Sequence, residues 1–158
     1  WGGFATTILL IVMFIGGCGG STTCGIKVFR LQVLASTAKV QISRLLRPHA
    51  VVLAYYNKRP VSVEVMDSVM GFFYLFILGF VLIAIMLGIA GLDFVTALSG
   101  AATSISNVGP GLGEVIGADG NFSTLPDSAK WIMTFAMLLG RLEIFTVLVM
   151  LNPAFWQR

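Results

Sequence analysis

The residues of this chain best suited to chemistry are four consecutive backbone positions, Ser106-Asn107-Val108-Gly109. They follow a short apolar stretch, Phe94 to Thr103, which reads as a helix of about half the length needed to cross a membrane. The C-terminal end of such a helix carries about half a negative elementary charge. Extended backbone just beyond it presents carbonyl oxygens, those of Asn107 and Val108 among them, that can replace water around a dehydrated cation. Gly109 admits a conformation closed to other residues, and Pro110 fixes the exit. An ordinary external turn punctuated by Gly and Pro competes with this reading; the preceding half-helix favours a filter.

A second cluster is the run Gly16-Gly17-Cys18-Gly19-Gly20-Ser21-Thr22-Thr23-Cys24-Gly25, with five glycines in ten residues. Glycine weakens a helix interior by about 1 kcal/mol relative to alanine, so residues 16–26 are expected to unwind at membrane depth. Unwound backbone is tolerated there only where protein buries it or it lines a watery cavity. A mobile loop blocking a pathway fits. Gly16 and Gly20 also satisfy a small-xxx-small packing spacing, but the added hydroxyls of Ser21, Thr22 and Thr23 exceed what packing needs. The run is no phosphate loop, because Ile26 stands between Gly25 and Lys27. Cys18 and Cys24 read as small buried residues. With His49 the only histidine, no metal site is expected.

Arg141 and Glu143 come third. They lie in an apolar segment, where a charge costs several kcal/mol and marks function by default. Two residues apart on a helix, they face different ways and each needs its own partner. Arg141 reads as facing the pathway and repelling cations from a closed gate, with a buried ion pair to another helix as the alternative. An enzyme is not expected: no titratable pair suits acid–base work, and Ser36-Thr37-Ala38-Lys39 lacks the companion motifs of a Ser-x-x-Lys site. Asn121-Phe122-Ser123 is a chance-level glycosylation match.

The elements that position these residues belong to a membrane protein. The chain is 57% hydrophobic and 11% charged, with a mean hydropathy of +0.93, too little charged cover for a soluble surface. It begins at Trp1 without a signal pattern, as expected of a stretch inside a longer polypeptide. Lys27, Arg30, Lys39, Arg44, Arg47, Lys58 and Arg59 cluster in 27–67, whereas Asp93, Glu114, Asp119 and Asp127 dominate 91–130. Lys/Arg excess marks the cytoplasmic side, so 27–67 and the C-terminus are placed inside and 91–130 outside. Beside membrane segments this topological reading prevails over nucleic-acid binding. The expected order is as follows. A helix over residues 1–47 is broken at 16–26, and its lower part, Lys27 to Arg47, is amphipathic and stopped by Pro48. A cytoplasmic connection over 48–67 holds a short hairpin at Val51-Val52-Leu53-Ala54-Tyr55-Tyr56 and Asn57-Lys58-Arg59-Pro60. A span from Ser68 to Ala90 is followed by the half-helix, capped by Asp93. A polar loop over 114–127 then leads to a final span from Ser128 to Leu151, bracketed by Trp131 and Trp156. Residues 68–158 thus form a helix–pore loop–helix unit, and the start of the chain resembles the closing helix of a preceding unit. The fold class is an all-α membrane protein with one glycine-broken transmembrane helix.

With these pieces placed, the chain resembles the TrkH/KtrB superfamily of potassium transporters, in its C-terminal part. The residues that carry the resemblance are Phe14-Ile15-Gly16-Gly17-Cys18-Gly19-Gly20-Ser21-Thr22, Gly25-Ile26-Lys27-Val28-x-Arg30, Ser106-Asn107-Val108-Gly109-Pro110-Gly111-Leu112-Gly113 and Gly140-Arg141-Leu142-Glu143-Ile144-Phe145. The resemblance covers essentially the whole chain. It implies the second helix of a third repeat (1–47) and a complete fourth repeat (68–158) of a four-repeat pore in the bacterial inner membrane. It implies that residues 16–25 are the gating loop, that Ser106 to Gly109 are one strand of the filter, and that Arg141 faces the gate. Potassium is then the transported ion, as channel flux or symport, with no covalent cofactor. The implied partners are the remaining repeats, a second subunit in a homodimer, the lipid bilayer and a cytosolic nucleotide-binding protein of the TrkA type; nucleic acid is not among them. Cys24 departs from the family, which usually has Gly there. Two rival classes are a secondary transporter of Na+ or a small solute, using the broken helix as its site, and a non-transporting anchor subunit, for which Arg141 and the half-helix have no purpose.

Overall fold

The computed structural model describes residues 3–19, 21, 23–47, 53–117 and 119–142. Expectations for Trp1, Gly20, Thr22, Pro48, His49, Val51, Val52, Glu143, Trp156 and the final span beyond Leu142 lie outside these residues.

The longest element is α3 (Val63–Ile89), and among the described residues it is the helix long and apolar enough to cross a membrane. It begins five residues before the expected Ser68, because Glu64 and Asp67 are accommodated in its exposed first turns and acidic groups are favourable at a helix N-terminus. Val69, Phe72, Phe76, Ile83 and Leu87 form its buried stripe at helical spacing, while Tyr74, Ile77, Val81, Leu82, Ile85 and Ile89 stay exposed.

Against this stripe lies α4 (Phe94–Ser106). Asp93 starts it as expected: the Thr96 N–H donates to Asp93 Oδ2 at 3.2 Å. Hydrogen bonds from Thr96 hold the Asp93 carboxyl below its ordinary range. From Ser99 to Ser106 every residue of α4 is buried. A helix buried all round must be lined by small side chains if neighbours are to approach, and α4 supplies Ala97, Ser99, Gly100, Ala101 and Ala102. Gly100 sits where an added Cβ would lie 3.4–3.6 Å from Leu87 of α3, Ile116 and Met133. Ile116 belongs to the single turn α5 (Gly113–Ile116), and a 3-10 turn follows at Phe122–Thr124. Met133 lies on α6 (Asp127–Arg141), whose buried Ala129, Met133 and Ala136 face α4. The closest approach is at Gly140: a Cβ there would collide with the carbonyl oxygen of Ile105.

Two earlier helices complete the chain. α1 (Gly3–Phe14) is apolar, and α2 (Val28–Leu46) is amphipathic, burying Val33, Thr37 and Val40 along one face. The hairpin is present but shorter than read from sequence, with β1 (Tyr55–Tyr56) antiparallel to β2 (Arg59–Pro60). Asn57 and Lys58 both have positive φ, 48° and 62°, as a tight two-residue hairpin turn demands. The Tyr55 N–H donates to Ser36 Oγ at 3.2 Å and thereby fastens the hairpin to α2.

Two predictions follow from this packing. Gly140→Ala should destabilise the protein by about 1–3 kcal/mol, because it overpacks a backbone contact. Gly88→Ala, where a Cβ meets nothing within 4 Å, should be neutral or stabilising by up to about 1 kcal/mol; thermal melts of the two variants in detergent make the comparison. Replacing the cap, Asp93→Ala should cost about 1 kcal/mol and Asp93→Asn only a few tenths. Since the folded carboxyl titrates below 3.8, the difference between wild type and Asp93→Asn should be full above that value and vanish as pH falls through the lowered one.

Candidate functional site

The segment read as a filter is fastened along its length to α4. Asn107 closes the helix in the left-handed region (φ 52°, ψ 44°), and the Val108 N–H donates to the Thr103 carbonyl at 3.0 Å. This six-to-one bond closes a Schellman-type cap. The Gly109 N–H then reaches the Thr103 hydroxyl at 3.0 Å, and the Leu112 N–H reaches the Ser99 hydroxyl at 3.1 Å. Ser99 and Thr103 are four residues apart on one helix face, so the returning chain runs back beside the helix it has just left. Its N–H groups at 108, 109 and 112 are all occupied. Among the described residues, the carbonyls of Asn107, Val108 and Gly109 accept no hydrogen bond. Gly109 has φ 115°, and a Cβ there would meet nothing within 4 Å, so glycine is required by conformation and not by space.

One expectation is corrected. Ser106 is not extended; it is the last residue of α4, buried, and its hydroxyl has no hydrogen-bond partner among the described residues. The helix runs three residues past Thr103 because Ser104 bonds back to the Gly100 carbonyl and Asn107, tolerant of the left-handed region, provides the stop. Asn107, in the left-handed region, is not extended either, and the non-helical segment starts at Val108.

The glycine run separates two helices. α1 ends at Phe14 and α2 starts at Val28, with no helix among the described residues between them. The two ends of the intervening chain are stitched side by side: Gly16 N–H to the Ile26 carbonyl at 2.6 Å, Ile26 N–H to the Phe14 carbonyl at 2.9 Å, and Val28 N–H to the Gly17 carbonyl at 3.1 Å. Inside this neck, the Gly17 N–H donates to Thr23 Oγ1 at 3.1 Å and the Thr23 hydroxyl bonds Ser21 Oγ at 2.9 Å. Both flanks are anchored on α3. Phe14 packs edge-on against Phe76 and Phe80, with ring centroids 6.1 and 5.1 Å away. The Arg30 guanidinium carbon lies 3.8 Å from the centroid of Phe72, a cation–π contact one turn along. The cysteines differ from the expected burial: Cys18 is exposed and Cys24, which lines both cavities described below, is half-buried, both as free thiols.

Two cavities meet at the loop. The larger, about 680 Å³, is lined on one side by Leu9, Val12 and Met13 of α1, and on the other by Asn107 and Val108, with Gly16, Gly17, Thr23 and Cys24 between them. The smaller, about 180 Å³, lies between the loop and α3, with Ser21, Thr23, Gly25, Lys27, Arg30, Phe72 and Gly140 around it. Arg141, the last residue of α6, lines both. The structure thus brings Asn107, Val108, the loop and Arg141 around one space. The sequence reading missed Ser99 and Thr103, the hydroxyls that hold the returning chain, and Gly140, the close approach of α6.

Comparison with known proteins gives the family of the chain. A family model named TrkH and described as a cation transport protein matches residues 1–158. Curated relatives include the Trk system potassium uptake protein TrkI of Halomonas elongata, 47% identical over the whole chain. Another is TrkH of Escherichia coli, 38% identical over 99% of the chain. The crystal structure of the potassium transporter TrkH from Vibrio parahaemolyticus superposes with a TM-score of 0.89 at 41% identity, covering 99% of this chain and 33% of that one. The chain spans about a third of the length of the relatives it matches, 32% of the TrkI protein and of E. coli TrkH alike. Matched from its first residue to its last, this mostly helical membrane chain belongs to the TrkH family of cation transport proteins.

Proposed function

We propose that this chain forms one wall and the gate of a potassium uptake pore in the bacterial inner membrane. In this reading residues 1–47 are the broken closing helix of one repeat, 48–67 a cytoplasmic connection, and 68–158 a complete helix–pore loop–helix repeat. The single observation that carries it is the hydrogen-bonding of the segment after α4. Its N–H groups are taken up by Thr103 and Ser99, while the carbonyls from Asn107 to Gly109 accept none among the described residues. Oxygens so arranged beside a cavity suit a cation stripped of water. K+ is then held at the Asn107 and Val108 carbonyls, with Ser106 as the last residue of the pore helix and Gly109 shaping the strand.

The glycine run supplies the gate. Gly16, Gly17, Gly19, Gly20, Ser21, Thr22, Thr23, Cys24 and Gly25 form the loop, and its anchored neck lets the middle move without unseating α1 or α2. Arg141, bordering the cavities on both sides of the loop, raises an electrostatic barrier to cations when the loop is closed. The basic stretch 27–67 and the C-terminus lie in the cytoplasm and 91–130 in the periplasm. The remaining repeats of the same polypeptide complete the ring, and a homodimer, a TrkA-type nucleotide-binding regulator and coupling to a symported ion belong to the same reading. The relatives are named as potassium uptake proteins, which gives no support to an organic solute or Na+ as the cargo.

Two experiments on the complete transporter in proteoliposomes test this. Gly109→Ala forces a side chain into φ 115° and should cut K+/Na+ discrimination about 5- to 30-fold, the equivalent of one or two kcal/mol of strain. Insertion should be unaffected, and unchanged discrimination refutes the filter assignment. Deleting Gly19 to Thr23 removes the middle of the loop and keeps Gly16, Gly17, Ile26 and Val28 of its neck, so the inserted protein should leak K+ constitutively. A tightly closed deletion variant removes the gate assignment.

A further inference from the structure

We propose that Asn107 is a positioning residue whose side-chain amide clamps the start of the ion-binding backbone to α6, at the turn that ends in Arg141. The proposal rests on the filter reading above and adds a second role to a residue assigned there only through its carbonyl. The Asn107 Nδ2 donates to the Met137 carbonyl at 3.0 Å. Met137 offers only an acceptor at this point, so the NH2 end of the amide must face it. By the geometry of the α-helix, that same carbonyl receives the N–H of Arg141 four residues on. The clamp and the arginine bordering both cavities therefore share one peptide group.

Two neighbouring features show that this contact is built and not incidental. Gly140, on the next turn, brings α6 so near that a Cβ would strike the Ile105 carbonyl oxygen and lie 3.1 Å from Asn107 Nδ2. Asn107 is also the one residue between α4 and Val108, and it stands in the left-handed region at φ 52°. Rotation about this residue sets where its carbonyl and the next one point. A backbone cap alone leaves that rotation to the Val108 and Gly109 N–H bonds on one side. The amide bond to α6 fixes it from the other side. A shift of the Arg141 turn, as the loop opens or closes, is then transmitted to the Asn107 and Val108 carbonyls through one hydrogen bond.

The test separates the left-handed cap from the clamp. Asn107→Gly keeps the left-handed turn, for which glycine carries no steric penalty, and removes only the amide. Asn107→Asp keeps the shape but turns an acceptor toward the Met137 carbonyl. Asn107→His retains an N–H donor on a residue also enriched in this region. In the complete transporter reconstituted in proteoliposomes, K+/Na+ discrimination should fall roughly 2- to 10-fold in Asn107→Gly, the span of one hydrogen bond. It should fall further in Asn107→Asp and recover in part in Asn107→His, while melting of Asn107→Gly stays close to wild type. Wild-type discrimination in Asn107→Gly overturns the clamp, as does an equal loss of rate and stability with discrimination intact. Gly109→Ala measured alongside distinguishes the two levels. If it loses discrimination while Asn107→Gly does not, the clamp alone fails; if neither loses it, the filter reading fails as well.

Discussion

Away from water, every backbone N–H and C=O must find its partner inside the protein, and the turn after α4 is where this constraint bears hardest. The end of a helix leaves four carbonyls without intrahelical partners. Here the returning chain resolves part of the deficit itself, through the Val108 N–H on the Thr103 carbonyl, and then draws on hydroxyls, Thr103 for Gly109 and Ser99 for Leu112. Donors are consumed and acceptors are left over. Those acceptors belong to the exposed Asn107 and Val108 at the cavity and to the half-buried Gly109. The small side chains of α4, the burial of Ser99 to Ser106 and the close seat of α6 all serve to hold that imbalance in place.

The loop between α1 and α2 obeys the same constraint differently. Its neck pairs as a short parallel contact between the Phe14–Gly17 and Ile26–Val28 stretches, so the backbone most in danger of being stranded is bonded to itself. Only the middle relies on side-chain hydroxyls, Ser21 and Thr23. Stability is thus graded along a few residues, firm at the neck where Phe14 and Arg30 are moored to α3, and weak where glycines dominate.

Much of this was legible in the sequence because glycine and proline punctuate it so heavily. Asp93 read as a cap and is one; a short hairpin was read in the stretch that ends at Asn57-Lys58-Arg59-Pro60, and the structure puts its turn at Asn57 and Lys58, both with positive φ. The end of α4 was misjudged by three residues, since Ser104 and Ser106 suggest a turn on propensity and the tertiary setting overrides it: Ser104 bonds back along the helix and both residues are enclosed by neighbours. The cysteines were misjudged for a related reason. Composition says that a thiol prefers burial, but it does not say that the glycines around it have placed the loop against open space. Ser99 and Thr103 could not be singled out from sequence because a hydroxyl bonded back to its own helix and one holding another strand look the same until the strand is placed.

Gly140 next to Arg141 is the pair in which packing and electrostatics are hardest to separate. Helices ordinarily pack with axes 8–10 Å apart, a distance at which the short side chain of an asparagine on one would not reach a carbonyl on the other. Removing one Cβ, at Gly140, brings the end of α6 onto the Ile105 carbonyl and places the Met137 carbonyl within 3.0 Å of the Asn107 amide. The same approach sets Arg141, one residue on, at the edge of the space lined by Asn107 and Val108. A guanidinium there is tolerable because α6 has carried it to a cavity wall and not into the packed interior, where a charge would be prohibitive. The glycine therefore decides the position of the charge, and any larger residue in its place would displace the arginine and the asparagine bond together.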